Sequence, residues 1–243
     1  MKHYSAKKLA LAGMFCAVAV VGSVFSFPVF GSKCAPVQHM VNILCAVLLG
    51  PYYGVGVAFV ASLLRNLLGL GSLMAFPGSM FGALLCGIVF HKTNKLLPTL
   101  VGEVFGTGII GAIVSYPVMS YLWGRDGLSW MFYVPSFICG TLIGGSIAYV
   151  FLRKIASNGM LTKLQLKLNS TSYTDKSTVL SDSLTIAAFG AILFVVIKIA
   201  SNIFKLTGSI WNILAYAAPG VCVAAAIIYY VIKKVKTKDA AHC

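Results

Sequence analysis

The sequence predicts an all-α integral membrane protein with about eight transmembrane helices. Of its 243 residues, 59% are hydrophobic and only 10% are charged, and the mean hydropathy is +0.91. A soluble domain would carry roughly a quarter charged residues. Burying this much apolar surface therefore requires lipid as well as a protein core. Several apolar runs reach the roughly 20 residues that cross a bilayer as a helix.

Apolar runs separated by short segments that contain Pro, Gly or Lys predict the individual helices. The first six are expected at about 6–26, 38–49, 52–68, 76–91, 98–122 and 130–153. A polar stretch rich in Lys, Ser and Thr follows, and then two more helices at about 183–204 and 210–232. The composition predicts a six-helix membrane domain over 1–155, a polar cytoplasmic linker over 156–182, and a transmembrane hairpin with a basic tail over 183–243.

The distribution of basic residues predicts how the helices are oriented. With the N-terminus inside the cell, fourteen Lys and Arg residues fall on the inner side and four on the outer side. This bias follows the positive-inside rule and places both termini in the cytoplasm. It also accounts for the net charge of +14. Since no basic stripe alternates with aromatic residues, nucleic acid is not expected as a partner.

Neither the cysteines nor the first apolar segment indicates special chemistry or processing. The seven cysteines are scattered through apolar runs without a Cys-x-x-Cys pair, so no metal or redox site is expected. The stretch from Leu9 to Phe27 is too long for the apolar core of a signal peptide, and no small-residue cleavage site follows it. We therefore expect a retained transmembrane helix.

Polar and aromatic side chains concentrate where the predicted helices end on the outer side. Polar groups at membrane depth are costly, so they indicate functional sites. Asn42 lies four residues after Gln38 and three after His39, so these three residues share one face of the second helix. Three other helices contribute further candidates in the same leaflet, namely Arg65, Asn66, Ser115, Tyr116, Trp130 and Tyr133.

Together these residues predict an outward-facing pocket for a small, partly aromatic ligand. Such pockets combine apolar walls with a few placed hydrogen-bonding groups. Amides would bond ring nitrogens or hydroxyls, and aromatic rings would stack on a planar ligand. Arg65 would pair with an anionic group or order the loops. Structural roles stay open for Trp130 and Tyr133 as interfacial residues, for Arg65 as a snorkelling side chain, and for the polar residues of helix two as interhelical hydrogen bonds.

Two further features lie away from this pocket. Glu103 falls in the fifth helix nearer its cytoplasmic end, too far inward for the pocket. We expect it to have a structural role, in a helix packing contact or a pair with an inner Lys, and a role in coupling stays open. The first helix carries a strip of small residues, Ala6, Ala10 and Gly13. Their spacing permits close approach of another helix, either within this chain or from a partner.

Several of these runs also resemble one family of membrane proteins. The runs are Phe27 through Asn42, Leu48 through Pro51, Leu64 through Gly71, Ala75 through Gly78, and Gly102-Glu103 with Gly106-Thr107-Gly108. Over about 1–155 the chain resembles the ThiW family. The Gln-His-Met-Val-Asn and Arg-Asn-Leu-Leu-Gly runs are the most specific, and the last two predicted helices have no counterpart in the family.

The resemblance implies a substrate-binding S component of an energy-coupling-factor (ECF) importer. It implies a six-helix S-component-like bundle in the bacterial cytoplasmic membrane, a pocket built from outer loops, and the thiamine precursor hydroxyethylthiazole as ligand. The implied partners are a transmembrane coupling protein and two ATPases. In S components, an Ala-x-x-x-Ala strip on the first helix contacts the coupling protein, and Ala6 and Ala10 match that pattern. The partners would use ATP, and this chain would need no cofactor. The subunit is expected to topple in the membrane, which carries the pocket inward.

Two other classes of function remain open from the residues alone. The chain lacks the G-x-x-x-x-G-K-[ST] motif, so energy must come from partners or from a gradient. A gradient-driven transporter of a small heterocycle would be expected to show repeat halves, and none is convincing. An intramembrane enzyme would need a nucleophile such as Ser72 or Ser146 within reach of a base such as His39 or His91. No such pairing is evident, so we expect no enzyme.

Overall fold

The computed structural model describes residues 6–29, 32–124, 127–173 and 209–239, together with the single positions 183, 186, 187, 190, 194 and 197. The chain divides into two compact units, Met1–Thr174 and Asp175–Cys243. The first unit contains all six helices predicted for the membrane domain. The second contains the last predicted helix, and the helix predicted at 183–204 lies largely outside the described residues.

Six helices form the body of the first unit. They are α1 (Ala6–Gly22, prolonged by a 3₁₀ turn over Ser23–Phe25), α2 (Pro36–Leu48), α3 (Pro51–Leu67), α4 (Ala75–Thr93), α5 (Leu96–Leu122) and α6 (Val134–Ser157). Each falls within a few residues of its predicted place, so the predicted all-α membrane fold is confirmed. The sixth helix begins four residues later than expected, which leaves Trp130 and Tyr133 in the turn before it.

The helices differ in length, and this difference matters for the site. Among the described residues, four helices are long and apolar enough to cross a bilayer, namely Ala6–Phe25, Ala75–Thr93, Leu96–Leu122 and Val134–Ser157. The chain is a multi-pass membrane protein. Helix α2 has only 13 residues, a length of about 20 Å at 1.5 Å per residue. It is too short to span the roughly 30 Å hydrocarbon core.

Helix α2 can be short because protein surrounds it. It packs against α1, α3, α4, α5 and α6, and eleven of its 13 residues are buried. Its apolar side chains, such as Val41, Ile43 and Val47, lie in the main hydrophobic core. A polar side chain on such a helix is kept away from bulk water and lipid head groups. It must therefore find its hydrogen-bond partners inside the bundle.

A short β-hairpin connects α1 to α2. Strand β1 (Phe27–Val29) pairs antiparallel with β2 (Ser32–Cys34), and Pro28 stands opposite Lys33. A two-stranded sheet has only edge strands, so proline is tolerated there. The hairpin contacts α6 and marks one end of the bundle, called the hairpin end below. The sequence predicts a loop at this place and gives no sign of strand pairing.

Residues that follow α6 close the opposite end of α2. A short helix, α7 (Met160–Lys167), places Gln165 so that its Nε2 donates to the Val47 carbonyl oxygen at 3.0 Å. The Ser170 hydroxyl donates to the Leu48 carbonyl oxygen. The last carbonyls of a helix have no partner within that helix. The first part of the predicted polar linker therefore caps the buried C-terminus of α2.

The second unit is described mainly by one long helix. Helix α8 runs over Ser209–Asp239, with Pro219 in its interior. It covers the helix predicted at 210–232 and extends beyond it. The Phe194 and Tyr216 rings lie 5.5 Å apart. A Cβ placed on Gly190 would meet Cys222. Chain from the predicted 183–204 segment therefore packs on this helix.

Candidate functional site

A buried carboxylate lies at the centre of the first unit. Glu103, on α5, has no exposed surface. Its Oε1 accepts three hydrogen bonds, from His39 Nδ1 at 3.1 Å, Asn42 Nδ2 at 3.0 Å and Thr107 Oγ1 at 3.0 Å. Because a carboxylate can only accept, this geometry assigns the Nδ1 proton to His39. Glu103 thereby ties α5 to α2 through two side chains one turn apart.

Close contact between α4 and α5 makes this arrangement possible. A Cβ on Gly106 would stand 2.9 Å from the Gly82 Cα, and one on Gly111 would stand 2.9 Å from the Gly78 Cα. Any larger residue would push the two helices apart. The first π-helical segment of α5, Gly106–Gly111, begins three residues after Glu103 and carries Thr107. Such segments are frequent at functional sites.

A chain of amide hydrogen bonds leads from Glu103 to Arg65. Asn42 directs its Nδ2 at Glu103 and at the Ser79 carbonyl oxygen, so its Oδ1 is free to accept from Gln38 Nε2 at 3.1 Å. The Gln38 Oε1 then faces Arg65 Nη1 at 3.4 Å. The Glu103 carboxylate and the Ser79 carbonyl oxygen, which can only accept, together determine which way both amides point.

These polar groups line or support a cavity at the hairpin end of the bundle. The cavity has a volume of about 50 Å³, which corresponds to a few water molecules. The hairpin and the loop between α3 and α4 form part of its wall. Its lining residues with polar side chains are Lys33, Gln38, His39, Arg65, Ser72, Ser79, Thr107 and Ser136. Phe137 and Met74 are among its apolar lining residues.

The structure brings four of the predicted site residues together. Gln38, His39 and Arg65 line the cavity, and Asn42 lies one hydrogen bond away from it. Tyr133 is fully buried, and its ring lies 6.2 Å from that of the cavity residue Phe137. The cavity residues among them come from α2 and α3, and Phe137 comes from α6.

The other predicted site residues support the surrounding loops instead of lining this cavity. Asn66 Nδ2 donates to the carbonyl oxygens of Ser62 and Ser72, which holds the loop after α3 against the helix. The Ser115 hydroxyl donates to the Met74 carbonyl oxygen at 3.3 Å. The aromatic rings of the last two predicted residues, Tyr116 and Trp130, contact each other, with their centroids 4.5 Å apart.

Glu103 and Thr107 are the site residues that the sequence does not predict. The sequence places Glu103 too far inward for the pocket, whereas the structure places it directly against His39 and Asn42. One signal could have found it. Glu103 is the only glutamate in the chain and stands within an apolar run, and Thr107 lies four residues later on the same helix face.

Cys34 closes the cavity on the hairpin side. Burial, together with the nearby Cys139 thiol, raises the pKa of Cys34 to about 11. Its sulfur lies beside Gly140 of α6, as does the His39 ring, because a Cβ on Gly140 would stand 3.0 Å from His39 Nε2 and 3.2 Å from Cys34 Sγ. The thiol is therefore a protonated packing group at neutral pH.

The candidate enzyme residues do not form a catalytic pair among the described residues. Ser72 and His39 both line the cavity, but the hydrogen bond of His39 goes to Glu103. His91 bonds Thr171 at 2.9 Å, and Ser146 lies exposed on α6. No group of three metal-ligating side chains occurs in the part of the chain that the structure describes.

The small-residue strip of α1 lies on the outside of the unit. Ala6, Ala10 and Gly13 are exposed, and a Cβ on Gly13 would meet nothing within 4 Å. Beside the strip, α1 and α3 border an apolar groove of about 550 Å³, with Tyr52 and Gly56 on its α3 side.

Comparison with known proteins identifies the family. The model of the family described as "Thiamine-precursor transporter protein (ThiW)" matches residues 9–158, which is more than half of the chain. The chain belongs to the ThiW family. Every residue that lines the cavity lies within the ThiW match. No curated protein and no solved structure matches the chain.

Proposed function

We propose that this ThiW protein is the membrane-embedded, substrate-binding subunit of an ECF importer in the bacterial cytoplasmic membrane, and that its ligand is hydroxyethylthiazole. The observation that carries the proposal is the cavity at the hairpin end, within a chain that belongs to a thiamine-precursor transporter family. Its walls offer amide, imidazole and hydroxyl groups beside Phe137. A small heterocycle with one hydroxyl arm requires such a combination.

The hairpin and the loop after α3 act as the entrance to the site in this proposal. The cavity of about 50 Å³ is too small for a thiazole ring with its substituents. Both wall segments are short. The Asn66 side chain joins the loop to α3 through the Ser72 carbonyl oxygen, and the Ser32 hydroxyl joins the hairpin to the loop through Met74 Sδ. Their outward movement would open the cavity without disturbing the helices that hold Glu103.

Binding to the purified, detergent-solubilised protein tests the ligand. We expect hydroxyethylthiazole to bind with submicromolar affinity, and thiamine and its pyrimidine half to bind far more weakly. Asn42→Ala should weaken binding roughly tenfold, because it removes the bonds by which Asn42 holds the Gln38 amide and the Glu103 carboxylate in place. Asn158→Ala is the matched control, since Asn158 is exposed at the far end of α6. Tight binding of another vitamin instead would contradict the thiazole assignment.

The exposed strip on α1 is the proposed contact with the coupling protein. Gly13→Trp would fill open space on the outer face and touch none of the cavity residues. We expect this variant to bind the thiazole normally but to lose co-purification with the coupling protein and the two ATPases. Normal complex formation by the variant would move the partner contact to another face.

A gradient-driven transporter is the second candidate, and one observation favours it. His39 and Glu103 form a buried titratable pair at membrane depth, which is typical of proton relays in transporters. Proteoliposomes that contain only this chain separate the two proposals. Thiazole uptake driven by a pH gradient would support the secondary transporter. Uptake that requires ATPase partners and ATP would support the ECF subunit.

A further inference from the structure

A buried positive charge in the cavity wall has no anionic partner among the described residues. Arg65 is only 6% exposed. Its guanidinium makes one long hydrogen bond, from Nη1 to the neutral Gln38 amide at 3.4 Å, and its Nε is buried without an acceptor. The one ion pair within the described residues joins His39 to Glu103.

A buried charge in this situation is unfavourable for the ligand-free protein. An ion removed from water needs a counter-ion or a full set of hydrogen bonds. Arg65 lies in the last turn of α3, where the negative end of the helix dipole offsets only part of this cost. The Arg65 side chain is not needed to hold the loop after α3 in place. The backbone amides of Leu70 and Gly71 already hold that loop, because both donate to the Arg65 carbonyl oxygen.

Two other donors face the same cavity. Ser136 is fully buried, and its hydroxyl has no hydrogen-bond partner. Lys33 is the exposed residue of strand β2 and also lines the cavity. A guanidinium, an ammonium and an unused hydroxyl are all donors, and two of them are cationic. Together they complement an oxyanion.

We propose that Arg65, Ser136 and Lys33 form an oxyanion subsite, so that the protein binds an anionic form of its heterocyclic ligand, such as a phosphate monoester, more tightly than the neutral alcohol. This inference rests on the proposed function and specifies its substrate class. The ligand supplies the negative charge that Arg65 lacks. The bidentate, charge-assisted bonds that guanidinium makes to phosphate or carboxylate provide the preference.

Affinities for hydroxyethylthiazole and its phosphate monoester test the subsite. We expect the ester to bind the wild-type protein roughly 10- to 100-fold more tightly than the alcohol. In Arg65→Met the preference should disappear, while affinity for the alcohol should change only about threefold. Arg153→Met is the matched control, because Arg153 is exposed at the opposite end of α6 from Ser136. It should keep the full preference.

Salt and thermal stability distinguish the subsite from a surface effect or a structural arginine. The preference should persist in 0.5 M salt if buried Arg65 carries it, whereas attraction by exposed Lys33 alone would be screened. Ligand-free Arg65→Met should unfold at the same or a higher temperature than wild type, because it removes an uncompensated buried charge. A lower unfolding temperature together with an unchanged preference for the ester would overturn the proposal.

The failure of the subsite and the failure of the proposed function give different results. If the alcohol binds as tightly as the ester, the subsite is wrong and the thiazole function stands. If neither thiazole binds, the thiazole function is wrong, and inorganic phosphate alone decides the subsite. Phosphate should then raise the unfolding temperature of the wild-type protein and leave that of Arg65→Met unchanged. The absence of a shift in both proteins would rule the subsite out.

Discussion

Glu103→Ala removes the acceptor on which three side chains of the bundle converge. In the wild-type protein, His39, Asn42 and Thr107 all donate to Glu103 Oε1. The substitution leaves these three donors buried without that partner, and Asn42 Nδ2 keeps only its bond to the Ser79 carbonyl oxygen. The Asn42 amide, and through it the Gln38 amide, thereby loses one of the two acceptors that fix its orientation.

The size of the effect follows from the number of bonds. Interhelical hydrogen bonds in membrane proteins contribute about 0.6 kcal/mol on average and up to about 1.7 kcal/mol. Three such bonds therefore correspond to about 2–5 kcal/mol of unfolding free energy. For a chain of this size, 1 kcal/mol shifts the unfolding temperature by about 2–4 °C. Glu103→Ala should lower it by roughly 4–20 °C.

Thermal unfolding in detergent, followed by circular dichroism, measures this shift. Thr107→Val removes one of the three donors and should lower the unfolding free energy by about a third as much as Glu103→Ala does. Thr99→Val is its control on the same helix, because Thr99 is equally buried but bonds only the Lys95 carbonyl oxygen one turn away. If Glu103→Ala unfolds within about 2 °C of wild type, the carboxylate does not hold the helices together and the reasoning is refuted.

Three further predictions concern helix packing, thiol chemistry and the second unit. Gly82→Ala should destabilise the fold by about 1–3 kcal/mol, because the new Cβ would overlap the Thr107 hydroxyl. Gly56→Ala is the control in the same unfolding assay and should be neutral, because a Cβ there meets open space. Maleimide labelling of Cys34, read by mass spectrometry, should be very slow at pH 8, and its rate should rise roughly tenfold per pH unit toward the Cys34 pKa of about 11. In Lys33→Cys, the new thiol at the exposed neighbouring position should already react at pH 8. Equal labelling rates at the two positions would contradict the burial of Cys34. A chain that ends at Thr174 should keep its affinity for hydroxyethylthiazole, since every cavity residue lies before that point; loss of binding by a folded truncated chain would assign the second unit a part in the site.

The local chemistry of the sequence determined the class of protein and the positions of its first six helices. Apolar runs long enough to span a bilayer can hardly fold otherwise, because every backbone polar group must be satisfied within the segment. Helical periodicity likewise placed Gln38, His39 and Asn42 on one face, as the structure confirms through the bond between Gln38 and Asn42. Both inferences concern residues a few positions apart.

Only the tertiary structure decided which helices meet at that face. The bonds from His39 and Asn42 to Glu103 join residues 64 and 61 positions apart. Counting residues along each helix could not give their relative depth, because α2 has 13 residues and α5 has 27. The enclosure of α2 by its neighbours, and the glycine contacts between α4 and α5, bring the carboxylate to the amides. Such long-range packing leaves no periodic trace in the sequence, which is why the sequence alone does not bring Glu103 to His39 and Asn42.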